Sequence, residues 1–431
     1  MCRGDDRASR RHRTQGGERA ARNQASTAVA IRPFTIETPE ADLEYLRARI
    51  AAPRWPERET VKDESQGVQL ATMRALARYW HDEYDWRRCE KRLNDFPQFI
   101  TEIDGLDIHF VHVRSKHEDA LPVIVTHGWP GSFVEQMKIV DLLTDPTEHG
   151  ASASDAFHVV IPNMPGYGFS GKPTTTGWGP IRIGEAWVEL MKSLGYAQFV
   201  AAGGDWGGVV VDVMAGGRDA PASPEPAPPE LLGIHTNFPG VVPPEIDKAI
   251  QTGGALPSNL SDDERRATEQ LGFLYQRVAY GLMMGTRPQT LYGLADSPVD
   301  LAAFMLDHDA ASYELISRVF VDGAEEGLTR DDVLDNITLF WLTNTGVSAS
   351  RLYWEWLSRD KGTYLSVKNV TVPVAVSVFP DEVYQAPRSW AQQAYPNLIH
   401  YNKVDRGGHF AAWEQPELYA SELRAGLRSL R

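Results

Sequence analysis

The sequence predicts an α/β protein: a doubly wound, mostly parallel sheet with an inserted helical lid and an N-terminal helical arm. Three observations predict it. Short apolar runs alternate with helical stretches from Asp107 onward, which implies parallel strands covered on both faces. A block from about 240 to 365 reads as helices without convincing strands, and strand patterns resume after it. A chain of 431 residues, 42% hydrophobic and 10% aromatic, has ample material for one large core with an insertion.

The elements follow in order. Residues 1–30 carry seven arginines against Asp5, Asp6 and Glu18, and their composition suits a disordered tail, with a transit peptide as the alternative. The ordered chain begins at Ile31. Thr38-Pro39-Glu40 supplies a cap, a proline at the first helical position and an acidic first turn. Leu43, Leu46 and Ile50 then recur at helical spacing. A second helical segment spans about Gln66 to Leu93, and its Tyr79, Trp80, Tyr84 and Trp86 are expected to pack against a neighbouring layer. The strand series is "DIHFVHVR" from Asp107, "PVIVTH" (122–127), "FHVVIPN" (157–163) and "QFVAAGG" (198–204). "GGRDAPASPEPAPPELL" (216–232) is a proline-rich loop, and "VPVAVSVF" (372–379) and "LIHYNKV" (398–404) close the sheet. The expected units are a tail at 1–30, an arm at 31–100, core at 101–239, a lid at 240–365 and core again at 366–431.

Charge and composition narrow the function. A net charge of -15 argues against nucleic acid or an anionic membrane as partner. With only Cys2 and Cys89 there is no disulfide framework, and a reducing, cytoplasmic setting is expected. No apolar run approaches the length of a membrane anchor. Gly166-Tyr167-Gly168-Phe169-Ser170-Gly171 fits G-x-G-x-x-G, but "KPTTTGWGP" cannot open the helix that phosphate binding needs, so no nucleotide cofactor is expected. No cofactor of any other kind is implied.

The chemistry lies at strand ends. "VAAGGDWGGVVV" runs an apolar strand through Gly203-Gly204-Asp205-Trp206-Gly207-Gly208 into an apolar helix. This is the nucleophile elbow of α/β-hydrolases, with aspartate where serine usually stands. Upstream, His127-Gly128-Trp129-Pro130-Gly131 is a tight turn. It can aim the Trp129 N–H at the elbow, where with the Trp206 N–H it would form an oxyanion hole. Downstream come Phe379-Pro380-Asp381-Glu382 and Gly407-Gly408-His409-Phe410. Nucleophile, acid, histidine is the chain order of this fold. A metal is not expected, because His308 has no ligand pair at zinc spacing beside it.

These stretches resemble the microsomal-type epoxide hydrolases, including soluble bacterial members with an N-terminal epoxide-hydrolase segment. The resemblance covers about 31–431 and rests on "WRRCEKRLNDFPQFITEIDGLDIHFVHV", "HGWPGSF", "GGDWGG", "DSPVDLAAF", "LTNT" ahead of "RLYWE", "FPDE" and "GGHFAAWEQPE". It implies Asp205 as nucleophile, His409 as base, Glu382 as its orienting acid with Asp381 as the alternative, and Tyr280 and Tyr353 as lid phenols that grip the epoxide oxygen. Tyr275 lies close to Tyr280 in sequence, and "LDHDAASYE" departs from the family's usual stretch. The substrate implied is a small apolar epoxide, with Phe273, Met283, Met284 and Phe304 as candidate apolar lining.

The residue chemistry agrees. A carboxylate attacks an epoxide carbon without prior deprotonation and leaves an ester, which water can cleave, whereas serine would leave an ether. A dehalogenase would use the same aspartate but needs no paired phenols. A non-catalytic hydrolase-fold protein commonly loses a catalytic member, and here each position is filled. A serine esterase is excluded by the lack of any G-x-S-x-G.

Overall fold

The apolar runs of the sequence are buried on both faces, as parallel strands require. The structure is a computed structural model that describes residues 30–217, 226–362, 365 and 370–431. The tail at 1–29 and Cys2 therefore lie outside the described residues. Among the described residues one sheet holds β1 (Arg32–Phe34), β2 (Gln98–Ile103), β3 (Leu106–Val113), β4 (Leu121–Thr126), β5 (Phe157–Pro162), β6 (Phe199–Gly203), β7 (Leu231–Thr236), β8 (Val374–Val378) and β9 (Leu398–Lys403). Their order is β1-β2-β3-β5-β4-β6-β7-β8-β9. The six strands from β5 to β9 in that order run parallel, and β1, β2 and β3 form an antiparallel edge. The strands β6 and β8 are buried at every position. The chain thus has the α/β-hydrolase architecture expected of it. Between β7 and β8 every described regular element is helical, from Pro244 to Arg359.

Four expectations need correction. The sheet starts before Asp107, because β1 and β2 belong to it. The β2–β3 turn is Asp104-Gly105, both at positive φ (52° and 78°), a two-residue hairpin for which Asp-Gly is the sequence signal. The strand β7 begins at Leu231, inside the stretch read as a proline-rich loop; residues 218–225 of that stretch lie outside the described residues. The segment from Gln66 to Leu93 is two helices, Leu70–Asp82 and Trp86–Asn94, because Asp85 turns the chain and accepts the Arg87 N–H at 3.0 Å. Finally, Pro39 is itself the N-cap of the first helix. The hydroxyl of Thr38 accepts from Trp86 Nε1 at 2.8 Å instead of capping.

The aromatic helices of the arm clasp one helix of the β7–β8 insertion. Trp80 Nε1 donates to Thr338 Oγ1 at 2.9 Å, Tyr79 to Asp331 at 2.8 Å and Tyr84 to Asp335 at 2.7 Å. Arg92 pairs with the other oxygen of Asp335 at 2.5 Å. In turn Asn336 donates to the Pro130 carbonyl at 2.8 Å, so the clasped helix, Arg330–Leu342, braces the turn after β4.

Candidate active site

In a parallel sheet the carboxyl ends of the strands gather on one side, and ligands bind there. The segments after β4, β6, β8 and β9 carry Trp129, Asp205, Glu382 and His409 to that side. The strand β6 ends at Gly203, and the helix Asp205–Met214 begins two residues on. Asp205 has φ +49°, a left-handed backbone that side-chain-bearing residues adopt rarely. Close packing makes two neighbours glycine. A Cβ on Gly207 would lie 2.0 Å from the Thr126 carbonyl oxygen, and one on Gly128 would lie 2.5 Å from Asp205 Oδ1.

The Trp129 N–H donates to Asp205 Oδ1 at 2.8 Å. Trp206 is the second residue of the elbow helix, where N–H groups have no partner within the helix and favour negative charge. His409 Nε2 lies 3.9 Å from Asp205 Oδ2. Its Nδ1 meets Glu382 Oε1 at 2.6 Å, and all three side chains are buried. Asp381 is exposed on the surface, so the geometry selects Glu382 as the histidine's partner. Burial opposes charge on His409, but Glu382, then Asp205 and Asp309, outweigh it and push its pKa from 6.5 up to about 10. The acids around it thus favour the protonated imidazole.

Tyr280 and Tyr353 line one cavity of about 350 Å³ together with Asp205 and His409. They come from the helices Ala279–Thr286 and Gly346–Trp354. Their rings stand 6.3 Å apart at 81°, and Trp129 stacks on Tyr280 at 4.9 Å. Burial pushes both phenols well above their ordinary pKa of 10. The charge of Asp205 adds to that push for each. Tyr275 also lines the cavity, but its hydroxyl is taken by Asp247. The apolar wall differs from expectation. Phe273 and Met283 face solvent, Met284 is packed in the core and Phe304 lies against Trp129. Phe238, Leu274, Val278, Leu282, Leu357 and Val383 line the cavity instead. A larger, open cleft of about 810 Å³ around Lys172, Arg287 and Arg351 contains none of Asp205, Glu382, His409, Tyr280 or Tyr353.

Two acid–base groups stand in the site at places that sequence reasoning does not assign them. Glu135, buried behind the turn after β4, has its carboxyl pushed up to about 7 by burial. No spacing rule marks it. His308 is the other: its ring centre lies 4.3 Å from that of His409, and its Nδ1 meets Asp309 at 2.9 Å. Asp205 and His409, which it meets in the cavity, lie about a hundred positions away in sequence, so spacing along the chain hides the cluster.

Comparison with known proteins decides the family. Residues 31–136 match the family model described as epoxide hydrolase N terminus, and 122–218 match the alpha/beta hydrolase fold. A putative epoxide hydrolase of Stigmatella aurantiaca is 49% identical over 406 residues, 93% of this chain and 86% of the relative. The chain belongs to the epoxide hydrolase family. Within the family, epoxide hydrolase 1 of Oryctolagus cuniculus is 34% identical over 91% of this chain and 88% of its own length. The crystal structure of juvenile hormone epoxide hydrolase from Bombyx mori superposes with a TM-score of 0.78 at 28% identity, covering 94% of this chain and 95% of that one. The epoxide hydrolase of Aspergillus niger gives 0.75 at 28% identity, with 94% and 97% covered. No helix among the described residues is long and apolar enough to cross a membrane.

Proposed function

We propose that this protein hydrolyses a small apolar epoxide to a vicinal diol through an ester on Asp205, beneath a helical lid formed by the β7–β8 insertion. The observation that carries the reading is one cavity lined by a carboxylate at the elbow, a histidine 3.9 Å from it and two phenols. Relatives named as epoxide hydrolases along most of the chain support the reaction class.

The steps balance. A carboxylate oxygen of Asp205 forms a bond to an epoxide carbon, the ring C–O bond breaks, and the departing oxygen takes a proton from Tyr280 or Tyr353. An alkoxide is a poor leaving group, so this proton is needed. The imidazolium of His409 restores the phenol's proton. Ester formation has also removed the negative charge of Asp205, one of the groups that held His409 protonated. The histidine is thus neutral when a base is wanted. It takes a proton from water, the water oxygen attacks the ester carbonyl, and the N–H groups of Trp129 and Trp206 hold the oxyanion. Collapse expels the second alkoxide, which takes the remaining proton of the added water and leaves as the diol; Asp205 is again a carboxylate, now with an oxygen from solvent, and His409 is again an imidazolium.

A single turnover with excess enzyme in heavy-oxygen water tests this. The expected result is unlabelled diol and a labelled peptide containing Asp205. Full solvent label in the first diol would mean direct attack by water and would remove Asp205 from its role.

A further inference from the structure

His308 lies outside the proposed chemistry, yet it occupies the same cavity. Asp205, His308 and His409 each bring a possible ligand atom to within 4.8 Å of the other two, and all three are buried. The two histidines are held alike. Nδ1 of His409 is committed to Glu382 at 2.6 Å and Nδ1 of His308 to Asp309 at 2.9 Å, which leaves both Nε2 atoms to ligate. A histidine whose second nitrogen is anchored to a carboxylate is the usual arrangement around a protein-bound transition metal.

We propose that Asp205, His308 and His409 form a three-ligand site for a zinc-class divalent ion, with its fourth position open to the cavity. Ligand atoms around such an ion stand about 3.3 Å apart. Asp205 Oδ2 and His409 Nε2 are now at 3.9 Å and all three ligand atoms lie within 4.8 Å, so side-chain shifts of ångström scale close the site. The ion takes a lone pair from each imidazole and one from the carboxylate, and the His409 proton leaves to solvent. Two imidazoles and one carboxylate suit zinc, cobalt or copper rather than magnesium or calcium. Because two ligands are the groups assigned to ester formation and hydrolysis, the ion and the epoxide exclude one another; that consequence rests on the proposed function, whereas the site does not. The ion would be a reversible inhibitor, and His308 would set the sensitivity.

The test uses the full chain and cobalt(II) as probe. One equivalent per chain should bind with the intense visible absorption of a low-coordinate cobalt site, and zinc should displace it. His308→Gln should weaken binding by about 100-fold or more, and Asp309→Asn by about 10- to 100-fold through the lost anchor. Thermal unfolding identifies a variant that fails to fold, and the other variant then carries the test. No such absorption with the native chain, or affinity unchanged from the native chain in the folded variants, overturns the site. Cobalt bound through His308 while zinc leaves diol formation untouched upholds the site and counts against the roles given to Asp205 and His409.

Discussion

Replacing Glu382 by Gln removes a charge and keeps the shape. The carboxylate lies 2.6 Å from His409 Nδ1, both side chains are buried, and Glu382 is the largest influence raising the histidine's pKa. A hydrogen bond between ionised partners contributes about 1.5–3 kcal/mol. Loss of that amount from the hydrolytic transition state slows ester hydrolysis by roughly 10- to 150-fold at about 1.4 kcal/mol per decade. Ester formation needs only Asp205 and a phenol proton, so it should change little. The assay is stopped-flow tryptophan fluorescence, with Trp129 and Trp206 beside the ester, combined with quenched-flow product analysis. Glu382→Gln should show an undiminished fast phase, a slower steady state and more accumulated ester. His409 in the free variant should also titrate well below about 10, nearer its ordinary value. Equal slowing of both phases would refute the division of labour between Asp205 and the Glu382–His409 pair.

Four further outcomes are expected. Tyr353→Phe should slow ester formation by roughly ten- to a thousandfold, read in single turnovers, because one acid is lost; an unchanged rate would favour a dehalogenase. His409→Gln should react once and stall, and mass spectrometry should find the substrate's mass on the peptide containing Asp205. The same variant has a signature in stability. The folded pKa of His409 is raised, so its stabilisation is full below pH 6.5 and fades as pH climbs through about 10. The stability gap between native chain and variant, from denaturant unfolding, should narrow across that window. Gly207→Ala forces a Cβ to within 2.0 Å of the Thr126 carbonyl oxygen and should destabilise the fold by about 3 kcal/mol or more, visible in the denaturation midpoint.

The sequence displays the parallel strands plainly because burial on both faces makes them apolar throughout. The antiparallel edge is harder to read. β1 has three residues, and β2 mixes charge with aliphatics on a half-covered face, so only the turn Asp104-Gly105 announces the hairpin. At the site, Asp205, Glu382 and His409 stand out because glycines, proline and chain order mark strand-end turns. Tyr280 and Tyr353 carry no such mark; a phenol on a helix looks the same in a core, and only resemblance singles them out. The cavity wall was misread for the same reason. Helical periodicity does not distinguish a face toward a cavity from one toward solvent, which is how Met283 and Phe273 came to be expected inside. His308 reads in the sequence as a lone histidine without a zinc-spaced pair, because Asp205 and His409 are brought to it only by the fold.

The clasp between arm and insertion bears on what counts as the smallest working unit. Asp335 is buried and kept ionisable by Arg92 and Tyr84; burial alone would drive its carboxyl still higher than its present value of about 6. One residue along the same helix, Asn336 holds the carbonyl of Pro130, whose neighbour Trp129 donates to Asp205. Trimming the protein to its α/β core would strand that carboxylate, bare the β3 edge and loosen the amide facing Asp205. Chimeras that exchange lids among relatives should therefore transplant the arm with the lid as a single graft, since the seam between them is shorter in sequence than in consequence.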